Sequence, residues 1–79
     1  MPHVAPVSET IPWPRRLRRI RRRLGLSQEA LAAKIGVARS TYALWENGHH
    51  TPLRMIQGRI FEIEREARRK WKKEREAAA

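Results

Sequence analysis

The stretch Leu24-Gly25-Leu26-Ser27-Gln28-Glu29-Ala30-Leu31-Ala32-Ala33-Lys34-Ile35-Gly36-Val37-Ala38-Arg39-Ser40-Thr41 carries the signals of two helix starts and two helix stops. Gly25 can close a preceding helix, because glycine alone takes the left-handed conformation at no steric cost. Ser27 reads as an N-cap whose hydroxyl accepts a first-turn N–H, and Glu29 places negative charge at the positive end of the helix dipole. Leu31 and Ile35 then share one face before Gly36 stops the segment, predicting a helix over residues 28–35. After the short Gly36-Val37-Ala38 turn, Tyr42 and Trp45 sit three apart and Asn47-Gly48 closes the run, predicting a helix over 39–47.

Upstream, Leu17, Ile20 and Leu24 recur at i, i+3 and i+7 behind Pro14, a residue suited to the first helical position. That predicts a helix over 14–24. Residues 1–13 hold Pro2, Pro6 and Pro12 without apolar periodicity and read as an extended arm. Downstream, Thr51 reads as an N-cap and Pro52 as the first residue of a long fourth helix. Its stripe, Leu53, Ile56, Ile60, Ile63, Ala67 and Trp71, advances in three- and four-residue steps, with Gly58 its one weak link. No strand pattern appears. The expected class is all-α: a small domain of four helices with a long C-terminal helix, divided into an arm (1–13), a body (14–61) and a helical extension (62–79).

At 79 residues the chain has room for one domain. Lys and Arg number 18 against 8 Asp and Glu, a net charge of +10, so an anionic partner is expected. The absence of cysteine excludes a disulfide framework and a thiolate zinc site. No run approaches the roughly 18 apolar residues of a membrane span, and residues 1–14 lack the order of a secretory signal. A soluble, cytoplasmic protein with no membrane partner is the expectation.

Two short helices joined by a tight turn have the spacing of a helix-turn-helix, in which one helix lies across the DNA backbone and the next enters the major groove. Spacing alone is weakly specific. The residues are more so: the 24–41 stretch, followed by Trp45-Glu46-Asn47-Gly48 and Pro52, closely resembles the Cro/Xre-type helix-turn-helix family of phage repressors, plasmid regulators and antitoxins. The resemblance covers about residues 17–60. It implies base readout by Arg39, Ser40 and Leu44, with Arg39 placed to grip a guanine O6 and N7. It implies phosphate contact by Gln28, which would also brace the recognition helix, and by Thr41. It pairs Arg21 of the first helix with Glu46, and turns Tyr42 and Trp45 inward. The sequence departs from the family in showing one long helix where a loop and a fifth helix are usual, which leaves dimer geometry open.

Seven arginines in the nine residues 15–23 form either a solvated face or a phosphate-binding one; such density repels itself without an anion, and Arg16 is counted among the phosphate contacts. His49 and His50, in the loop before the fourth helix, are expected to meet phosphate too, since a helix N-terminus favours anions. With His3 far away they lack the number and spacing of metal ligands, and no cofactor is expected. The tail from Arg65 to Arg75, interleaved with glutamates, reads as a soluble charged helix, and Trp13 as a core or interface aromatic. No carboxylate pair, nucleophile-base set or phosphate-cradling glycine loop is present, so no catalytic residue is assigned and a non-enzyme is expected.

The fourth helix's stripe is longer than a body this small can cover, so a homodimer seam is expected along Ile60, Ile63, Ala67 and Trp71; the alternative folds the tail back onto Trp13 within one chain. The leading expectation is a sequence-specific double-stranded DNA-binding regulator, a repressor in a phage, plasmid or mobile-element setting. The alternative is an antitoxin that masks a toxin protein and autoregulates through the same motif. A third is non-specific coating of nucleic acid by the arginine cluster. Residues 1–14 hold no Arg or Lys, so the arm is expected to contact protein or stay disordered, not to enter a minor groove.

Overall fold

A computed structural model describes residues 11–78; the expectations for the arm over residues 1–10 lie outside them. Four helices follow one another: α1 (Trp13–Leu24), α2 (Gln28–Ile35), α3 (Arg39–Glu46) and α4 (Arg54–Ala78). No strand occurs among the described residues.

The helix ends follow local chemistry. Extended Pro12 caps α1, accepting from the Arg16 N–H at 3.0 Å, so the helix opens on Trp13, one residue earlier than Pro14 suggested. Gly25, at φ 66°, ends it: the Leu26 N–H reaches the Arg21 carbonyl (3.0 Å) and the Gly25 N–H the Arg22 carbonyl (3.3 Å), a Schellman closure. Ser27 Oγ accepts from the Ala30 N–H at 3.0 Å at the head of α2. The turn into α3 begins at Gly36, φ 99°. Asn47 is the C-cap of α3 and not its last helical residue.

The start of α4 corrects the sequence-based expectation. Thr51 does not cap it and Pro52 does not open it. The Leu53 carbonyl takes the first helical hydrogen bonds, from the N–H groups of Ile56 (2.9 Å) and Gln57 (3.0 Å), while the Gln57 side chain donates to the Pro52 carbonyl at 2.9 Å. Pro52 is therefore held outside the helix, and it is buried. Leu53, expected in the apolar stripe, is 69% exposed.

The core draws on all four helices: Leu17 and Ile20 from α1, Leu31, Ala32 and Ile35 from α2, Tyr42 and Trp45 from α3, and Ile60, Ile63 and Ala67 from α4. α4 lies across α1 and α2, and α3 packs on the same pair. This overturns the expected dimer seam. Ile60, Ile63 and Ala67 are buried inside the chain's own core at 0%, 4% and 0% exposure, which leaves them no surface to offer a second copy. Trp71, half-buried, lies one turn further along, its ring between the guanidinium groups of Arg23 (4.4 Å) and Arg75 (4.7 Å). At the head of α1, Trp13 packs on Phe61 of α4, ring centroids 5.7 Å apart.

Candidate nucleic-acid interface

The orientation of α3 is set at its C-terminal end. Glu46 is 3% exposed, and its carboxylate accepts four hydrogen bonds from three helices. Arg21 of α1 donates twice, Nε to Oε2 at 2.8 Å and Nη2 to Oε1 at 2.9 Å. Gln28, the first residue of α2, donates from Nε2 to Oε1 at 2.8 Å, and the Tyr42 hydroxyl, one turn back on α3, donates to Oε2 at 2.5 Å. Arg18 Nη2 reaches the Glu46 backbone carbonyl at 3.0 Å, satisfying a group that the helix end would otherwise leave open.

Burial alone would raise the Glu46 pKa, but the donated hydrogen bonds from Arg21, Tyr42 and Gln28 outweigh it and bring it down to about 2. Arg21 is correspondingly held above its ordinary value, chiefly by its hydrogen bond to Glu46. Burial pushes the Tyr42 phenol up, and its hydrogen bond to Glu46 adds to the rise. The phenol therefore stays neutral and donates. A carboxylate with every strong acceptor direction filled is a fixed joint, locking the angle between α1, α2 and α3.

With Tyr42, Trp45 and Glu46 turned inward, the opposite side of α3 faces solvent. Arg39 and Ser40 stand exposed at its first turn, and Leu44, one turn after Ser40, is 39% exposed. Ser40 and Leu44 thus share the outward side of the helix, with half-buried Thr41 beside them, while Arg39 is on the same face as Tyr42 and Glu46 and is exposed as the first helical residue. Gln28 spends one amide N–H on Glu46 and so braces α3 from the head of α2.

Arg16 does not belong to the phosphate-binding set. It is 8% exposed, pairs through Nε with Glu64 Oε2 at 3.0 Å, and sets its guanidinium beside the rings of both Trp13 (5.3 Å) and Phe61 (5.2 Å). Its role is to hold α1 against α4. His49 and His50 are exposed, but their backbone N–H groups close the end of α3 on the Leu44 carbonyl, at 2.9 and 3.2 Å. The first helical residue of α4 is Arg54, so the two histidines do not sit at its N-terminus as the sequence suggested.

Two contributors are not legible in the sequence reading. That reading places Tyr42 in the core without a role for its hydroxyl, although Tyr and Glu four residues apart on a helix are neighbours. Arg18 as a cap for α3 carries no sequence signal, since it reaches across 28 residues.

Among the described residues no group of three or more His, Asp or Glu side chains is placed to hold a metal, and no helix is long and apolar enough to cross a membrane. No curated protein and no solved structure matches the chain. A helix-turn-helix family model matches residues 17–56, half of it, running from within α1 to the first turn of α4 and including every residue of the Glu46 joint. The chain belongs to the Cro/Xre-type helix-turn-helix family of DNA-binding transcription regulators.

Proposed function

We propose that this protein is a sequence-specific repressor that inserts α3 into the major groove of duplex DNA. The observation that carries the reading is the Glu46 joint: it fixes the inner face of α3 to α1 and α2 while Arg39, at the first residue of the helix, and Ser40 and Leu44, on its outer face, stay exposed. Arg39 supplies the strongest base contact, a bidentate grip on guanine, with Ser40 and Leu44 reading neighbouring edges. Gln28 and Thr41 position the helix on flanking phosphates. A second copy on a symmetric site completes the operator complex, and since Ile60, Ile63 and Ala67 are internal, exposed Leu53 and Met55 at the head of α4 are the apolar side chains left for that contact. Repression follows from occlusion of polymerase.

Selection from a random duplex pool at about 0.15 M salt, where long-range attraction is screened, tests the reading. Enrichment of an inverted repeat is expected. Recovery of no motif would overturn it.

A second reading, an antitoxin that autoregulates through the same motif, is favoured by the far end of α4, where every residue from Lys72 to Ala78 is exposed. A stable one-to-one complex with the product of a neighbouring small gene would establish that role.

A further inference from the structure

The arginines of α1, indistinguishable in sequence, separate in the fold into two sets. Arg16, Arg21 and Arg23 are turned to the protein: Arg16 pairs with Glu64, Arg21 with Glu46, and Arg23 lies over Trp71. Arg15, Arg18, Arg19 and Arg22 recur at i, i+3, i+4 and i+7, share one face and line a single concavity. Among the described residues none of these four makes an ion pair with a carboxylate.

We propose that Arg15, Arg18, Arg19 and Arg22 form a second contact with the DNA phosphate backbone, outside the recognition helix. The inference rests on the DNA-binding reading and extends it to a surface that the helix-turn-helix itself does not use. Three observations carry it. The first is charge. Like charges at i, i+3 and i+4 destabilise a helix unless a counter-ion lies along them, and the carboxylates of α4 are interleaved with that helix's own cations. The second is side-chain type. The stripe is all arginine and no lysine, and the planar guanidinium fork matches phosphate oxygens two at a time.

The third is position. Arg18 donates to the Glu46 carbonyl at the end of α3, and Pro14 lies against Gly48, its Cγ 3.7 Å from where a side chain there would begin. At the other end, Arg18 and Arg22 line a depression with Gly25 and Leu26, just before the Ser27 cap of α2. The stripe therefore runs between the two ends of the motif. Its seven-residue span covers about 10 Å, comparable to about three phosphates at roughly 3.4 Å of axial advance per strand. An acidic protein would meet the same charge, but nothing would tie it to those two flanks.

The test compares the salt dependence of random-duplex binding for three proteins: the wild type, the triple variant R15Q/R19Q/R22Q, and a charge-matched control, R69Q/K72Q/K73Q, on the exposed side of α4. Arg18 is left in place because it caps α3. Glutamine is a good helix former and none of the replaced side chains is buried, so circular dichroism should be unchanged. The stripe variant is expected to lower the log–log slope by about 0.9 per lost phosphate, about 2 to 3 in all, and the control by much less. An unchanged slope, or an equal fall in the control, would overturn the proposal. The preference for a selected duplex over a scrambled one, measured alongside, should survive the stripe variant and be lost in Arg39→Ala. If the wild type binds duplex with no preference, the specific-repressor reading fails while the slopes still decide the stripe; if it binds no duplex, both fail.

Discussion

Arg21 grips Glu46 through two parallel hydrogen bonds, at 2.8 and 2.9 Å, and so fastens the last turn of α1 to the last residue of α3. Gln28 and Tyr42 fill the remaining acceptor directions of the same carboxylate. A single side chain thereby ties the end of α3 to both α1 and α2.

Removing that carboxylate should cost more than removing any exposed charge. Glu46→Ala leaves the Arg21 guanidinium and the Tyr42 hydroxyl without their acceptor, and breaking a buried pair by deleting one partner costs about 3 to 5 kcal/mol. Urea unfolding should show a loss of that order. A loss within about 0.5 kcal/mol, typical of a surface substitution, would refute the joint.

The same carboxylate should make stability fall in acid. Its pKa is about 2 in the folded protein against an ordinary 4.5, so the folded state favours the charged form. Its contribution is complete above pH 4.5 and drains away as pH falls towards 2. The whole of it is up to about 3 kcal/mol, because a tenfold change in proton affinity is worth about 1.36 kcal/mol. Unfolding followed between pH 6 and 2 should show that slope, and Glu46→Gln should flatten it. Tyr42 acts at the other end: its folded pKa is raised above 10, so its contribution is present below pH 10 and is lost as pH rises beyond it.

Two adjacent arginines should behave in opposite ways. Arg16 is buried against Glu64 and two aromatic rings, so Arg16→Ala should destabilise by about 3 kcal/mol or more. Arg15 is exposed, and Arg15→Ala should change stability by less than about 0.5 kcal/mol while weakening duplex binding. Thermal melts and binding titrations of both variants check the contrast; equal melting losses would contradict it.

Arg39→Ala should leave folding untouched, since the side chain is exposed. It should cost about 1 to 3 kcal/mol of discrimination at one base pair of the selected site. Titrating the variant against the selected duplex and its single-base substitutions measures this, and undiminished discrimination at every position would remove Arg39 from the readout set.

How far each feature can be read from the chain depends on its range. Ser27, Gly25 and Gly36 mark helix ends through hydrogen bonds that close within five residues, so the limits of α2 are those its sequence indicates. The start of α4 departs from the sequence-based expectation for a reason of the same local kind: Thr51-Pro52 matches a helix start, yet Leu53 takes the capping position because Gln57 reaches back to the Pro52 carbonyl. The acid-arginine pair is implied only through resemblance, since 25 residues separate its members.

The amino-acid sequence by itself determined an all-helical chain, a tight turn between two short helices, a strong positive charge and an apolar stripe along the last helix. These depend on residue type and on neighbours a few positions away. Tertiary structure alone decided what that stripe meets and where each arginine points. Periodicity specifies that Ile60, Ile63 and Ala67 share a face but not what covers it; here α1 and α2 of the same chain do. Likewise Arg15 and Arg16 are equivalent in composition, and only the placement of Glu64, Trp13 and Phe61 makes one a strut and leaves the other facing solvent. A helical pattern encodes a direction about one axis, whereas the partner in that direction is set by how separate helices pack.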